Sequence, residues 1–451
     1  MKTYHVIPRE DGQWAAIAEG ASRAASMHRT QKEAISAART LIQKNKGELL
    51  IHGADGRIRD SAGESAPSRP NRKTSTDSPT DTRNQGKSQR YAIKIGERLQ
   101  QARMMRGHSL RSLAEKLDGI ASHTTLQKFE KGLNTPDTKI LGKIARALDV
   151  RIGYFFKSEA LRLETIEYRK SSKVGKKVAH QLAEQAVEFF ERYLEIEEIL
   201  GIKGAGFEPE DFSALAKNSL PAAIEDLTLR LRDEWGLGSN PIANVHTTLE
   251  QRGVKVRLLP NAEGFDGLAG FAVFAGRKIP TIAVSNECMT SDLPRLRFTL
   301  LHELGHLAMS LPETLEHKEK EACCHRFAGA FLFPQSSVHA ILGKRRKKIL
   351  LAELKQIKSE WGVSIAALMR RALDLEIISL GTYKGFCIWK NGPRGFGKNE
   401  PQTWVGSERS DRFEQLVFRA FAESQISVSK AADLLGLSLG QFAEKSEGLI
   451  E

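Results

Sequence analysis

Cysteine is scarce: Cys288, Cys323, Cys324 and Cys387 are the four in 451 residues, and two of them are adjacent. A disulfide framework needs more thiols, set apart, so the disulfide-rich secreted class is excluded and a reducing compartment is expected. Long apolar runs are missing too. No stretch reaches the roughly 18 apolar residues that cross a bilayer, and the polar start Met1-Lys-Thr-Tyr-His5 lacks a signal-peptide core. A membrane partner is therefore excluded and a cytoplasmic location expected. Acidic residues fall short of basic ones, 55 against 68, leaving a net charge of +13 and a pI near 9.5. That balance favours a polyanionic partner, because basic surfaces speed encounter with phosphate backbones; simple solubility is the bland alternative. Between Ser61 and Arg90 apolar side chains almost vanish, so nothing there offsets the entropy of ordering the chain, and residues 61–90 are expected to form a flexible linker.

What is present suffices for about three domains at about 150 residues each, with 40% hydrophobic residues for ordinary cores. The chemistry sits in Phe298-Thr-Leu-Leu-His-Glu-Leu-Gly-His-Leu-Ala-Met309, where His302, Glu303 and His306 have the HExxH spacing inside an apolar, helix-forming run. Side chains four apart stack on one helix face, so two imidazoles can ligate one ion with Glu303 beside the position left for water. Zinc with three protein ligands keeps a position open and lowers the pKa of its water to about 7, and Glu303 is the candidate base. The third ligand is expected on a second helix, Glu319 to Leu332. At helical spacing Glu321 shares a face with Cys324, His325, Ala328 and Leu332, whereas Glu319 goes with Cys323 and Arg326, so Glu321 is chosen. Cys323, Cys324 and His325 could ligate zinc in principle, but a buried free cysteine is usually a small hydrophobe.

These residues resemble the ImmA/IrrE family of bacterial zinc metallopeptidases, through Arg297-Phe-Thr-Leu-Leu-His-Glu-Leu-Gly-His306, Glu321 and Arg326-Phe-Ala-Gly-Ala-Phe-Leu-Phe-Pro334. Glu360-Trp-Gly-Val-Ser-Ile-Ala-Ala-Leu368 looks like the sequence that follows the family's catalytic core. The family pattern usually has Asn where His325 stands, and His325 could serve as partner of the zinc ligands instead.

Four short amphipathic segments come earlier, Ile95 to Met105, Ser109 to Leu117, Ser122 to Lys131 and Asp137 to Leu148. Ser109, Ser122 and Asp137 suit N-caps, and Gly107 and Gly132 suit helix ends. The segments resemble the Cro/repressor-like (XRE) helix-turn-helix family, on Ile95-Gly-Glu-Arg-Leu-Gln-Gln-Ala-Arg103, Ser109-Leu-Arg-Ser-Leu-Ala-Glu-Lys-Leu117 and Thr124-Thr-Leu-Gln-Lys-Phe-Glu-Lys-Gly132. The resemblance implies operator DNA as partner, with His123, Thr124, Gln127 and Lys128 on the exposed face of the recognition helix and Arg111 and Lys131 near phosphates. The turn Asp118-Gly-Ile-Ala121 is one residue longer than usual. A family of this kind usually binds as a homodimer.

The remaining stretches read more plainly. Residues 1–60 alternate, turn helical from Thr30 to Lys44 and alternate again, with turn signals at Asp11-Gly12 and Asp55-Gly56, which predicts a ββαβ module. They resemble a small bacterial domain of unknown function, on Arg9-Glu-Asp-Gly-Gln-Trp14 and His52-Gly-Ala-Asp-Gly-Arg-Ile-Arg-Asp60. Val174 to Leu200 carries Leu182, Ala186, Phe189, Tyr193, Ile196 and Leu200 at a/d spacing, which fits a coiled coil and intramolecular packing equally. Pro221 to Trp235 and Asn240 to Arg252 read as helices, and Val254 to Leu259 as a strand. Gly267 to Phe274 and Ile279 to Val284 read as a hairpin, whose edge beside HExxH could hold an extended substrate by β-augmentation. Lys344-Arg-Arg-Lys-Lys348 reads as a solvated loop. Ser427 to Phe442 superficially suggests a second helix-turn-helix, with a helical cap the preferred reading.

The expected fold is mainly α with a small α+β metallopeptidase core, in several domains. These are a small α+β module at 1–60, a disordered linker at 61–90, a helix-turn-helix domain at 91–156, a helical connector at 157–205, the metallopeptidase domain at 206–380 and a helical extension at 381–451. The expected function is a DNA-binding regulator whose zinc peptidase domain cleaves the chain itself or a partner protein to relieve repression. The alternative is a regulator or antitoxin whose metallopeptidase-like domain senses a ligand or zinc without proteolysis. Substrate, cleavage site, inducing signal and operator sequence are not readable.

Overall fold

Alternation of buried Tyr4 and Val6 with their less buried neighbours builds the first strand of this computed structural model, which describes residues 2–8, 13–18, 21, 24–45, 47–52, 58–62, 82–156, 162–168, 175–202, 204, 208–260, 265–274, 276–289 and 292–446. Two compact units divide the chain, Met1–Asp81 and Thr82–Glu451. Across the described residues 17 α-helices outweigh three small sheets, the mainly α, multidomain class expected. No described helix is long and apolar enough to cross a membrane.

In the first unit β1 (Lys2–Pro8), β2 (Trp14–Ala18), β3 (Ser26–His28), α1 (Gln31–Asn45), β4 (Gly47–His52) and β5 (Ile58–Ala62) follow one another. The sheet order is β3-β2-β1-β4-β5, with β1 and β4 parallel. Tyr4, Val6 and Ala16 pack on Ala34 and Ala38 of α1. The expected ββαβ order is present, and two edge strands, β3 and β5, add to it. Both expected turns, Asp11-Gly12 and Asp55-Gly56, lie outside the described residues.

The second unit opens with α2 (Thr82–Met105), α3 (Leu110–Lys116), α4 (His123–Glu130) and α5 (Thr138–Ala147). The expected linker is thus corrected at both ends. Residues 82–90 continue the helix of Ile95 upstream, Ser61 and Ala62 finish β5, and 63–81 lie outside the described residues. Ser109, Ser122 and Asp137 each accept an amide proton three residues on, the N-cap bond that stops helices fraying. Leu99, Leu113, Leu117, Leu126, Phe129, Leu141, Ile144 and Leu148 close one core. After a 3-10 turn at Ile152–Phe156 come β6 (Arg162–Tyr168) and α6 (Lys176–Ile199), so the connector read as helical contains a strand.

The rest supplies β7 (Glu210–Asp211), α7 (Leu220–Glu234), α8 (Val245–Gln251), β8 (Lys255–Leu259), β9 (Gly267–Phe274), β10 (Arg277–Ser285), α9 (Leu293–Ala308), β11 (Met309–Ser310), α10 (His317–Leu332), α11 (Gln335–Leu342), α12 (Leu351–Trp361), α13 (Ile365–Asp374), α14 (Leu380–Asn391), α15 (Arg412–Ala422), α16 (Val428–Leu435) and α17 (Leu439–Ser446). Helix α8 starts later than expected because Asn244, not Asn240, accepts its capping bond. The main sheet has order β6-β9-β10-β8, with β10 parallel to β8 and antiparallel to β9. Period-two alternation buries both of its faces. Val256, Ala269, Phe271, Ile282 and Val284 join the core of α9 and α10, whereas Leu259, Leu268, Ala272 and Ala283 join that of α6 and α15. The a/d stripe of α6 is therefore used inside the chain: Leu182, Ala186, Phe189, Tyr193 and Ile196 are buried there. Helices α15 to α17 cap α6 through Phe413, which contacts Phe189 and Tyr193, and through Arg192, which donates to the Leu434 carbonyl. The basic run Lys344 to Lys348 is a loop in which Arg346 holds Glu353 by both carboxylate oxygens.

Candidate functional site

Helix α9 starts where Asp292 accepts from the Arg295 amide and Pro294 fills the first turn, and its apolar face carries His302 and Glu303 into the core, each 1% exposed. Gly305 lets α10 come close, for a Cβ there would stand 3.3 Å from the Cys324 Cα. That crossing lays Glu321 over the two imidazoles. The His302 and His306 Nε2 atoms are 3.1 Å apart, and Glu321 Oε2 and Oε1 lie 3.5 and 3.3 Å from them respectively. A tetrahedral ion with arms of about 2.0–2.1 Å asks its ligand atoms to stand roughly 3.3–3.4 Å apart, so this donor set fits a zinc-sized cation. Among the described residues it is the group of three that could hold a metal.

Glu319 turns elsewhere, pairing with Lys217 and accepting the Glu316 amide in a capping box. The thiols and His325, weighed as alternative ligands, stand outside the cluster. Burial pushes the Cys323 thiol above its ordinary range. Cys324 Sγ meets His306 at the other ring nitrogen, 3.5 Å from Nδ1, where a ligating histidine commonly has an orienting partner. His325 donates from Nδ1 to the Glu321 carbonyl at 2.7 Å and lies between Phe298 and His302, its ring centroid 4.5 Å from that of His302. The Glu303 carboxylate lies near the first residue of β9: a Cβ on Gly267 would be 3.0 Å from Oε1, so a larger residue there would crowd the acid. A cavity of about 290 Å³ opens beside His306, with Met309, Glu313, Lys320 and Cys324 on its wall.

On the other candidate surface, α4 buries Leu126 and Phe129 and exposes His123, Thr124, Gln127 and Lys128, while Arg111 on α3 and Lys131 just past α4 are also exposed. Glycine again sets the packing, since a Cβ at Gly96 would strike the Phe129 carbonyl at 2.3 Å. Arg103 grips Glu130 with two bonds of 2.5 and 2.8 Å, fixing α4 on α2. The long turn is absorbed before the helix begins: Asp118 and Gly119 both take left-handed φ, +47° and +79°, and Ser122 still caps α4. Thr124 shares its hydroxyl with Ser122 at 2.8 Å.

Residues 99–155 match the helix-turn-helix family model, and residues 250–373 match that of the IrrE N-terminal-like domain. The chain joins a helix-turn-helix domain to an IrrE-like domain. Residues 4–62 match a family described as an uncharacterized protein conserved in bacteria. Uncharacterized HTH-type transcriptional regulators of Rickettsia prowazekii (strain Madrid E) and Rickettsia conorii (strain ATCC VR-613 / Malish 7) are each 42% identical to this chain over 62 residues. That stretch is 14% of this chain and 46% and 48% of theirs, so the chain spans about half the length of the curated relatives it matches.

Sequence reasoning did not assign three residues near the IrrE-like site, Gly267, Arg297 and Glu408, and it weighed Cys324 as a ligand, not as a partner of His306. The helical phase that put Cys324 on the Glu321 face carried the signal for its place beside His306. Gly267 had one in being a glycine at a strand start. Arg297 on α9 and Glu408, both fully buried and ion-paired, had none, since they are 111 residues apart.

Proposed function

We propose that this protein is a DNA-binding transcriptional regulator whose IrrE-like domain is a zinc-dependent peptidase, acting on the chain itself or on a partner regulator to lift repression. The observation that carries it is the convergence of His302, His306 and Glu321 at ligand spacing with Glu303 one residue along the same helix. In this reading those three side chains hold one zinc ion, which when bound supplies a Lewis acid that polarises a peptide carbonyl and acidifies water. Glu303 takes the proton of the attacking water and returns it to the leaving amine, a role suited to a carboxylate walled in by Gly267 and screened from solvent. Cys324 and the Glu321 backbone hold the ligands in place: the thiol orients His306, and the Glu321 carbonyl fixes His325 next to His302.

The helix-turn-helix domain places the chain on operator DNA as a homodimer, because one recognition helix reads only a few base pairs. Gln127 and Lys128 reach base edges, with His123 and Thr124 beside them, and Arg111 and Lys131 neutralise phosphates. Metal analysis of the purified chain should give one zinc, lost in His302→Ala and in Glu321→Ala. Mass spectrometry of the zinc-loaded chain with candidate partner repressors should show cleavage that Glu303→Gln abolishes while it keeps zinc. Retained zinc in both ligand variants removes the site, and zinc without any cleavage leaves the non-proteolytic sensor or antitoxin in its place.

A further inference from the structure

Strand β9 is the place where an extended peptide could dock, because it runs from Phe274 back to Gly267, where an added Cβ would come within 3.0 Å of the Glu303 carboxylate. Its inner edge is committed to β10 over eight unbroken pairs, Arg277 with Phe274 through Val284 with Gly267. Its outer edge is the one a peptide needs, and it already holds β6. The pairing is antiparallel, Arg162 with Val273, Leu163 with Ala272, Glu164 with Phe271 and Thr165 with Gly270, then Glu167 with Ala269 and Tyr168 with Leu268. Rising residue numbers in β6 thus approach Glu303.

Two features distinguish β6 from the other strands of the sheet. Its register breaks between Thr165 and Glu167, so Ile166 has no partner and the half nearest Glu303 is the weaker. It also comes from the stretch between the helix-turn-helix core and α6, about a hundred residues before the strand it pairs with. We propose that β6 is a resident occupant of the peptide-binding edge of the IrrE-like domain, which an incoming extended protein segment must displace before it can lie antiparallel on β9 and reach Glu303. The proposal rests on the reading that the substrate is an extended polypeptide. It deepens that reading by making the free chain a self-blocked one.

The test uses a fluorescein-labelled peptide with the sequence of residues 160–170 and the full-length Glu303→Gln chain, with and without zinc, read by fluorescence anisotropy. In an antiparallel strand successive residues point their amides to opposite sides, so the added pair Glu164→Pro and Thr165→Pro removes whichever amide faces β9. The peptide is expected to bind the proline variant at least tenfold more tightly than the Glu303→Gln parent. Equal affinity in the two, or binding to neither, overturns the proposal. Should the proline variant not fold, hydrogen exchange of residues 162–168 in the parent decides. Exchange is expected to quicken when the peptide is present in excess, and unchanged exchange overturns it. Mass spectrometry of the unaltered zinc-loaded chain that finds a cut between 157 and 175 also overturns it, since β6 is then substrate and not guard. Because binding is read in a variant without its base, absence of turnover or of zinc leaves this test intact and fails the peptidase reading alone.

Discussion

Arg297 illustrates how much one buried charge can organise. It lies one residue before the apolar run that carries His302, is fully buried, stacks its guanidinium 4.3 Å from the Trp404 ring centre, and donates to the Ile242 carbonyl and to Glu408. Glu408 in turn accepts the Val245 and His246 amides at the start of α8, at 2.8 and 3.0 Å. Burial pushes the Glu408 carboxyl up and the Arg297 guanidinium down from their ordinary values, with each charge opposing the other's shift. Removing one partner strands the other, so Glu408→Ala should cost about 3–5 kcal/mol in urea unfolding. The double variant Arg297→Met with Glu408→Leu should lose less than the sum of the singles. Additive losses would mean that the two groups act separately. Neither residue was legible in the sequence as a pair, because nothing local ties position 297 to position 408. His302, His306 and Glu321 were legible because helical period alone decides which side chains share a face.

At the scale of elements, the joint between α2 and α6 is the most strongly specified. Arg98 holds Glu191 with bonds of 2.6 and 2.8 Å, both residues buried, and lies over the Tyr154 ring. Glu184, two turns earlier on α6, has its carboxyl pushed up to about 7, first by burial and then by the Glu191 charge, against the pull of Arg98. A raised folded-state pKa means the folded chain holds a proton that the unfolded chain has released, so stability falls as pH climbs from about 4.5 to about 7. Glu184→Gln should therefore gain on the parent by about 1–2 kcal/mol between pH 5 and pH 8, after allowance for partial exposure. Parallel stability curves would refute this. In α4, footprinting of Gln127→Ala should show a loss of about 1–3 kcal/mol confined to particular bases. Arg111→Ala should weaken all sequences alike and flatten the salt dependence by about one ion. The caps of α3, α4 and α5 were legible because a cap is a bond between residues three apart. Strand β6 was not, because Arg162-Leu-Glu-Thr-Ile-Glu-Tyr168 is short, and the partner that makes it a strand is β9. Likewise the stripe on α6 left a coiled coil and intramolecular packing open, and α15 and the sheet supplied the answer.

For the whole second unit α6 is the shared support: α2 lies on it through Arg98, the sheet through Lys255, whose ammonium meets Glu197 at 2.7 Å, and the last helices through Phe413 and Arg192. A chain ending at Asp411 should uncover Phe189 and Tyr193, bind a hydrophobic dye and melt at least about 5 °C lower. An unchanged melting temperature would show that α15 to α17 are dispensable to the core. The Arg297 pair also has a meaning during synthesis. A ribosome adding about 5–20 residues per second needs roughly 6–22 s to cover the 111 positions from Arg297 to Glu408. Throughout that interval the nascent chain has a guanidinium destined for the core without the Glu408 carboxylate that pairs with it in the fold. The ion pair on the helix that carries HExxH can therefore close only once the chain has been translated past Glu408.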